Sequence, residues 1–537
     1  MLKMKTARRK IKPLSTSNHN KTEFHIMPEQ ATTNKQRRTS SYTIYVDLPD
    51  EQEYVLLVHG YSGAYDKVSR RVANFVRSLE IGALPKPLYG EWSNEKIDGV
   101  VPTPSDETLN ILTKRGYLTE MSREEEQVFF TKIGTTLHSI QSRMMPGYIV
   151  MPTYQCNLRC PYCFQDHMRT NPLYKHLLRT MSFETADRLL NAMPQFEALH
   201  GVPDGVAGVQ VPRSITFFGG EPLLAESYPV VEYIVGQTLA KGKANFSAIT
   251  NGTELHHYKA LLAPDKISFL QITLDGPPKE HDKRRIYADG SGSFELIARN
   301  IDMALELGVY ISVRMNIDRN NIHQLPELTD EIVRRGWHNH KNFSSYTAVV
   351  APSNEKTDFR TTMTSWELGN KLKELNEQHE NMWVIGKPDD GLTDAARRLF
   401  DTKQQGMPSL KGSFCGAHNK MYVYDAFGDL YACWERTGDP QVRIGHVSEA
   451  GELVLNDVMN KMWRERTAVS NPTCAKCRYA LYCGGGCAVH AEEFTGTVYS
   501  NFCDGFQKRF RASVAEAYID HTKGKTPKME VARACEM

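Results

Sequence analysis

The chain of 537 residues lacks an excess of either charge: 65 Lys plus Arg stand against 63 Asp plus Glu, a formal net charge of +2. No overall field therefore favours nucleic acid or an anionic membrane surface as a partner. It also lacks a continuous apolar run near the roughly 20 residues that a membrane-crossing helix needs, and no apolar stretch follows its basic start as in a signal peptide. The expectation is a cytoplasmic protein with no nucleic-acid and no membrane partner. Cysteine is missing from most of the chain, with none of the 11 before residue 156 or between 164 and 414. Three stand at 156–163, seven between 415 and 503, and Cys535 is alone near the end. Thiols crowded in this way, without a secretion signal, point to metal or redox chemistry rather than to disulfides. With 40% apolar residues, a chain of this length can bury two or three cores, and at least three domains are expected.

The densest group is Cys156-Asn157-Leu158-Arg159-Cys160-Pro161-Tyr162-Cys163, with the spacing Cys-x3-Cys-x2-Cys. Three thiolates this close can hold three corners of a [4Fe–4S] cluster and leave one iron open to a substrate or cofactor. The alternatives on these residues alone are buried structural thiols or a zinc knuckle, which wants a closed fourth ligand that His167 could supply.

The surrounding pattern places this octet. Between residues 147 and 350 strands alternate with amphipathic helices, and strands are predicted at 148–154, 214–218, 245–249, 269–274, 310–316 and 343–349. The clearest helix spans 293–307, where Phe294, Ile297, Ile301, Ala304 and Leu305 share a face. Six βα units in a row imply a parallel sheet with helices outside, and such folds bind ligands at the carboxyl ends of their strands. The octet follows the first strand, Gly219-Gly220-Glu221-Pro222 the second and Thr250-Asn251-Gly252 the third, and Asp275-Gly276 ends the fourth.

Octet and strand-end motifs together resemble the radical SAM enzymes. In that family the open iron is chelated by S-adenosylmethionine (SAM), whose one-electron cleavage yields a 5′-deoxyadenosyl radical that abstracts hydrogen from a substrate. The resemblance implies a partial (β/α)6 TIM-like barrel within an α/β fold, with Cys156, Cys160 and Cys163 as cluster ligands and catalytic residues. Phe218-Gly219-Gly220-Glu221-Pro222 resembles the GGE motif, whose backbone receives the SAM amino group. Leu274-Asp275-Gly276 with His281 to Arg285 resembles the fourth-strand segment of the peptide-modifying branch, making Thr273 and Asp275 candidates near the SAM ribose. Arg314, alternating with Asn316 on the fifth strand, is a candidate for the methionyl carboxylate. Tyr162 is a candidate to pack on adenine. For Asp275, Arg285 and Arg314 a structural ion pair is the competing reading.

The second array, Cys415-x12-Gly428-x4-Cys433 followed by Cys474-x2-Cys477-x5-Cys483-x3-Cys487 and Cys503, suits zinc ribbons or iron–sulfur clusters equally on residue type. It resembles the SPASM pattern of peptide-modifying radical SAM enzymes. That likeness implies two auxiliary [4Fe–4S] clusters: a distal one on Cys474, Cys477, Cys483 and Cys503, and an inner one on Cys415, Cys433 and Cys487. A fully ligated inner cluster draws a fourth Cys from upstream, but nothing between residues 386 and 414 is Cys. Gly484-Gly485-Gly486 between two ligands fits tight wrapping of the chain.

The expected domains are a disordered basic tail at 1–40, a small N-terminal α+β unit at 41–145, the radical SAM core at 146–350, a bridging region at 351–410, the cysteine-rich SPASM domain at 411–510, and a C-terminal helix and tail at 511–537. In the N-terminal unit, β-rich runs at 42–48 and 54–59 precede helices expected at 67–79, 108–115 and 122–144, the last opened by the capping box Ser122-Arg123-Glu124-Glu125. This unit is either winged-helix-like and peptide-binding or a buttress. The implied partners are a peptide or protein substrate and a reductant such as flavodoxin or ferredoxin. The implied chemistry is maturation of a ribosomally made peptide by crosslinking or oxidation. Anaerobic sulfatase maturases, which form formylglycine, carry an Asp base directly after the second Cys of this array, where Trp434 stands here. Outside enzymes, an electron-transfer protein or a zinc-stabilised peptide-binding scaffold fits the thiols.

Overall fold

A computed structural model describes residues 37–80, 101–202, 211–351, 354, 356–386, 392–400 and 409–524. The expected tail lies outside the described residues up to position 36, as does Cys535.

The described chain begins with order rather than tail. Strand β1 (Arg38–Thr39) pairs antiparallel with β5 (Leu118–Thr119), between which runs the meander β2 (Thr43–Asp47), β3 (Tyr54–His59) and β4 (Tyr65–Ser69). Residues 38–40 belong to the fold because Arg38 and Glu126 form a buried ion pair at 2.8 Å, and the Ser40 hydroxyl donates to the same carboxylate at 2.5 Å. The helix expected from residue 67 starts at Arg70 instead: Val68 pairs with Val55 in β4, and the Ser69 side chain caps the helix by accepting from the Val72 N–H. The capping box at Ser122 and Glu125 is present, opening the helix Arg123–Ser142. Alternation along β3 buries both faces of the meander. Leu56 and Val58, with Ile44 and Val46, pack on helices Leu392–Phe400 and Phe506–Thr522. Val55 and Leu57 pack with Phe75, Val76 and Leu112 of helices Arg70–Ser78 and Asp106–Lys114.

The six expected parallel strands are all present as β6 (Gly147–Val150), β7 (Arg213–Phe217), β8 (Ala244–Thr250), β9 (Ile267–Thr273), β10 (Tyr310–Ile317) and β11 (Phe343–Val349), adjacent in sequence order. The first is shorter than predicted. Pro152 cannot donate to a ladder, and after the Met151 N–H has bonded to the Tyr424 carbonyl at 2.8 Å the chain turns away. All four residues of β6 are buried, as a strand covered on both faces requires. Helix Phe294–Glu306 presents its predicted apolar face inward.

The cysteine-rich region continues the same sheet. Strand β12 (Met421–Tyr424) lies parallel to β6 with Met421 opposite Gly147, and β13 (Asp429–Tyr431), β14 (Gly445–Val447) and β15 (Leu453–Leu455) follow antiparallel, completing ten strands. Side chains lock this junction: Tyr154 donates to Asp425 at 2.9 Å, and Tyr424 to the Thr185 carbonyl at 2.8 Å.

Candidate active site and cysteine groups

The carboxyl ends of β6 to β10 converge on the octet. Its loop is stitched to the barrel by the Arg159 N–H to the Ile286 carbonyl at 2.7 Å and by Asn157, whose amide donates to Thr253 and Glu254 at 2.9 and 3.0 Å. Asn354 holds the far side, donating to the Pro161 and Cys163 carbonyls at 2.9 Å. Cys156 and Cys163 are half-buried and Cys160 is buried. Burial pushes the Cys160 thiol up to about 12; Arg285 pulls it down, while Cys156, Cys163 and Asp275 add to the rise, so the three thiols share one electrostatic neighbourhood.

Arg169, which no sequence pattern singled out, donates to the Cys163 sulfur at 3.0 Å. Its Nε and Nη1 are buried without a hydrogen-bond partner, and all three thiols act on its charge.

Gly219 and Gly220 sit where nothing larger fits. A Cβ on Gly220 would lie 2.1 Å from the Gln155 carbonyl oxygen and 2.3 Å from that of Tyr154. Glu221 is not an open acceptor. One oxygen receives Thr250 Oγ1 at 2.6 Å and the Leu223 N–H at 2.9 Å, and the other the Asn251 N–H at 2.5 Å, so its side chain ties the β7 loop to the end of β8. Burial raises its carboxyl to about 7 despite these donors.

Tyr162 and Asp275 are joined rather than separately available. The Tyr162 hydroxyl donates to Asp275 Oδ2 and accepts from Arg285 at 2.8 Å and Asn316 at 3.3 Å. The Asn316 N–H donates to Asp275 Oδ1 at 3.1 Å, and the Arg284 guanidinium lies 5.3 Å from the Tyr162 ring centre. The ion pair of Asp275 is with Arg284, whose Nε lies 3.9 Å from its carboxylate, while Arg285 reaches Asp275 only through the Tyr162 hydroxyl. Thr273 is buried beside Arg314, its register partner across β9 and β10, and Arg314 Nε donates to Asn316 at 2.9 Å.

The seven later thiols fall into two groups by mutual influence. Cys433 is acted on by Cys415 and Cys487; Cys477 is acted on by Cys483, Cys474 and Cys503. Burial pushes Cys474 and Cys477 up to about 12, and Cys483 and Cys487 to about 11. Gly484, Gly485 and Gly486 have φ of +83°, +91° and +78°, a left-handed run that carries the chain from one group to the other. Arg466 lies between the groups: it is buried, donates to the carbonyls of Val498 at 2.6 Å and of Gly485 and Ser500 at 3.1 Å, and feels Cys474, Cys415, Cys487 and Cys483. An aromatic line connects the octet to the nearer group. Phe164 stacks on Phe218 at 6.4 Å, and Phe218 meets Trp434 at 5.8 Å. Among the described residues no three His, Cys, Asp or Glu side chains form a ready site for a single metal ion, and no helix is long and apolar enough to cross a membrane.

Residues 150–332 match the model of the radical SAM superfamily. A cysteine-type anaerobic sulfatase-maturating enzyme of Clostridium novyi is 23% identical over 382 residues, 68% of this chain and 95% of that protein. A GTP 3′,8-cyclase of Rhizobium etli is 27% identical over 290 residues, 53% of this chain and 74% of its own. Among solved structures, native anSMEcpe with bound AdoMet and Kp18Cys peptide shares 16% identity with a TM-score of 0.50, covering 70% of this chain and 99% of that one, a likeness of fold. With three thiols at the end of the first of six parallel strands, residues 150–332 are thus a radical SAM domain within the chain.

Proposed function

We propose that this radical SAM enzyme abstracts hydrogen from a peptide or protein side chain, maturing a ribosomally made peptide by crosslinking or oxidation. The observation that carries the SAM-binding part is the octet: three thiols in one neighbourhood, faced by an Arg169 guanidinium with two buried N–H groups unpaired. Buried thiols hold their protons, and a bound cationic cluster is what makes such sulfurs thiolates. The unpaired Arg169 nitrogens suit the negative charge that a thiolate-ligated cluster places there.

Cys156, Cys160 and Cys163 would hold the [4Fe–4S] cluster, which with SAM supplies reductive C–S cleavage and a hydrogen-abstracting radical. The backbone at Gly219 and Gly220 would receive the methionyl amine, and the lack of side chains there lets this turn pack directly on the Thr153, Tyr154 and Gln155 carbonyls. Glu221 and the Tyr162–Asp275–Arg285 network hold the strand ends together, and Thr273 and Arg314 would serve the ribose and the methionyl carboxylate of SAM. The seven later cysteines would bind two auxiliary [4Fe–4S] clusters, with the Phe164–Phe218–Trp434 line closing the space between them and the octet to water. A small flavodoxin or ferredoxin is the class of reductant that serves this chemistry.

The second reading, sulfatase maturation, is favoured by the likeness to the Clostridium novyi enzyme along 95% of that protein. Against it, Trp434 occupies the position after Cys433. The likeness to a GTP cyclase shows that such a domain does not by itself decide the substrate.

The test is anaerobic reconstitution followed by SAM and dithionite. 5′-Deoxyadenosine is expected from the native chain and none from Cys160→Ala, while the variant keeps the iron of the C-terminal groups. A native protein that loads zinc, or that loads iron and sulfide yet cleaves no SAM, defeats the proposal. Supplying a Cys- or Ser-containing sulfatase peptide separates formylglycine formation, read as a mass change, from the first reading.

A further inference from the structure

One cation beside the octet has no balancing charge among the described residues. Arg169 belongs to the short helix Asp166–Thr170, which follows the third cysteine almost at once. The Asp166 N–H donates to the Cys163 carbonyl at 3.0 Å and Met168 is buried, so the helix is anchored against the octet loop. From it Arg169 Nη2 donates to the Cys163 sulfur at 3.0 Å. The carboxylate of its own helix, Asp166, is taken by the Lys356 ammonium. Arg169 Nε and Nη1 are buried with no hydrogen-bond partner. A guanidinium presents five N–H donors in a rigid fork and keeps its charge at any ordinary pH. One thiol can accept a single one of these donors and none of the charge, and a buried donor or cation left unmatched is costly. Three thiolates and the sulfides of a [4Fe–4S] cluster supply both acceptors and negative charge at that place.

We propose that Arg169 is a positioning residue that acts through the Cys163 sulfur to raise the reduction potential of the cluster held by Cys156, Cys160 and Cys163. This rests on the reading of the octet as the SAM cluster site. One electron passes from a reductant of the flavodoxin or ferredoxin class, which is oxidised, to the cluster, which is reduced, and no bond forms or breaks. The reduced cluster carries one more negative charge, so a fixed cation hydrogen-bonded to one of its sulfurs stabilises it over the oxidised form. Burial weakens the screening of that attraction by water and salt.

The experiment uses the full chain, reconstituted anaerobically as the native protein, as Arg169→Met, Arg169→Gln and Arg169→Lys, and as the triple variant Cys156→Ala, Cys160→Ala and Cys163→Ala. EPR is recorded at a series of fixed solution potentials, and the signal of the triple variant is subtracted so that the octet cluster alone remains. Where the native octet cluster is half reduced, its ratio of reduced to oxidised form is expected to fall about tenfold or more in Arg169→Met and Arg169→Gln, a shift of about 59 mV or more to negative potential. Arg169→Lys, which restores the charge, is expected to recover most of the ratio. Affinity for SAM, read from its perturbation of the same signal, is expected to stay that of the native chain. A smaller fall in the variants that load the cluster overturns the proposal. So does weakened SAM binding at an unchanged ratio, which would make the guanidinium a ligand of the methionyl carboxylate. Loss of the octet cluster from both uncharged variants also overturns it, since Arg169 would then be a support for the loop. A native chain with no signal beyond that of the triple variant overturns the SAM-cluster reading itself, a result distinct from a loaded octet whose ratio ignores Arg169.

Discussion

The two thiol regions are built in opposite ways. The octet is local: three sulfurs within eight residues, presented by one loop after β6 and held by Asn157, Arg159 and Asn354. The C-terminal groups are assembled from segments as far apart as Cys415 and Cys503, and their common element is the buried Arg466, which ties the carbonyls of Gly485, Val498 and Ser500. A local site depends on whether its loop can take one shape. An assembled site depends on whether distant segments stay docked, so the two are expected to fail separately even though they share the ten-stranded sheet.

That contrast can be broken most sharply at Gly220. Gly220→Ala forces a methyl to within 2.1 Å of the Gln155 oxygen and must displace the turn against the octet. SAM cleavage is expected to fall by about 100-fold or more, as misplacement of about 1 Å does, with iron in the C-terminal groups unchanged. Loss of iron from both regions would show that they are one cooperative unit.

Arg466→Met is the reciprocal case. It strands three backbone acceptors and removes the cation between the thiol groups, so iron is expected to leave the C-terminal groups while the octet still binds SAM. Global stability should fall by roughly 2–4 kcal/mol in chemical denaturation. Retained C-terminal iron would mean that the glycine run alone holds these segments.

The smallest expected effect lies in the N-terminal unit, which neither region contains. His59 is buried and neutral, with its ring bonded to Ser40 at 3.1 Å and the Ser62 N–H at 3.3 Å. Burial brings it down to about 4 from an ordinary value of 6.5. Between these values the unfolded chain takes up a proton that the folded one refuses, so stability is complete above pH 6.5 and declines as pH falls toward 4, by at most about 3 kcal/mol. His59→Gln should flatten this part of the pH–stability curve. An unchanged slope would assign the acid sensitivity elsewhere.

Much of the barrel was legible because its signals are local. The strand at 343–349 is where the alternation of residues puts it, and the helix face through Phe294, Ile297 and Ile301 follows from a spacing readable in one turn. The sequence misled where a single capping residue overrides a pattern: Val68 has helical spacing, but Ser69 ends the strand and starts the helix. In the candidate site, the glycines and cysteines were legible because their chemistry is particular to the residue type. The engagement of Glu221, Tyr162 and Asp275 was not, because it depends on which donors three different strand ends bring within reach.

Residue type and spacing were enough to say which residues could carry the chemistry and at which strand ends they stand, since the shape of a loop and the periodicity of a strand are properties of neighbouring residues. It took the packed molecule to show that β12 continues the barrel sheet at β6 and that the seven thiols divide into groups of three and four around Arg466. Those partners are separated by up to hundreds of residues, and only the packing of buried strands and helices brings charges so distant in sequence into the same low-dielectric space.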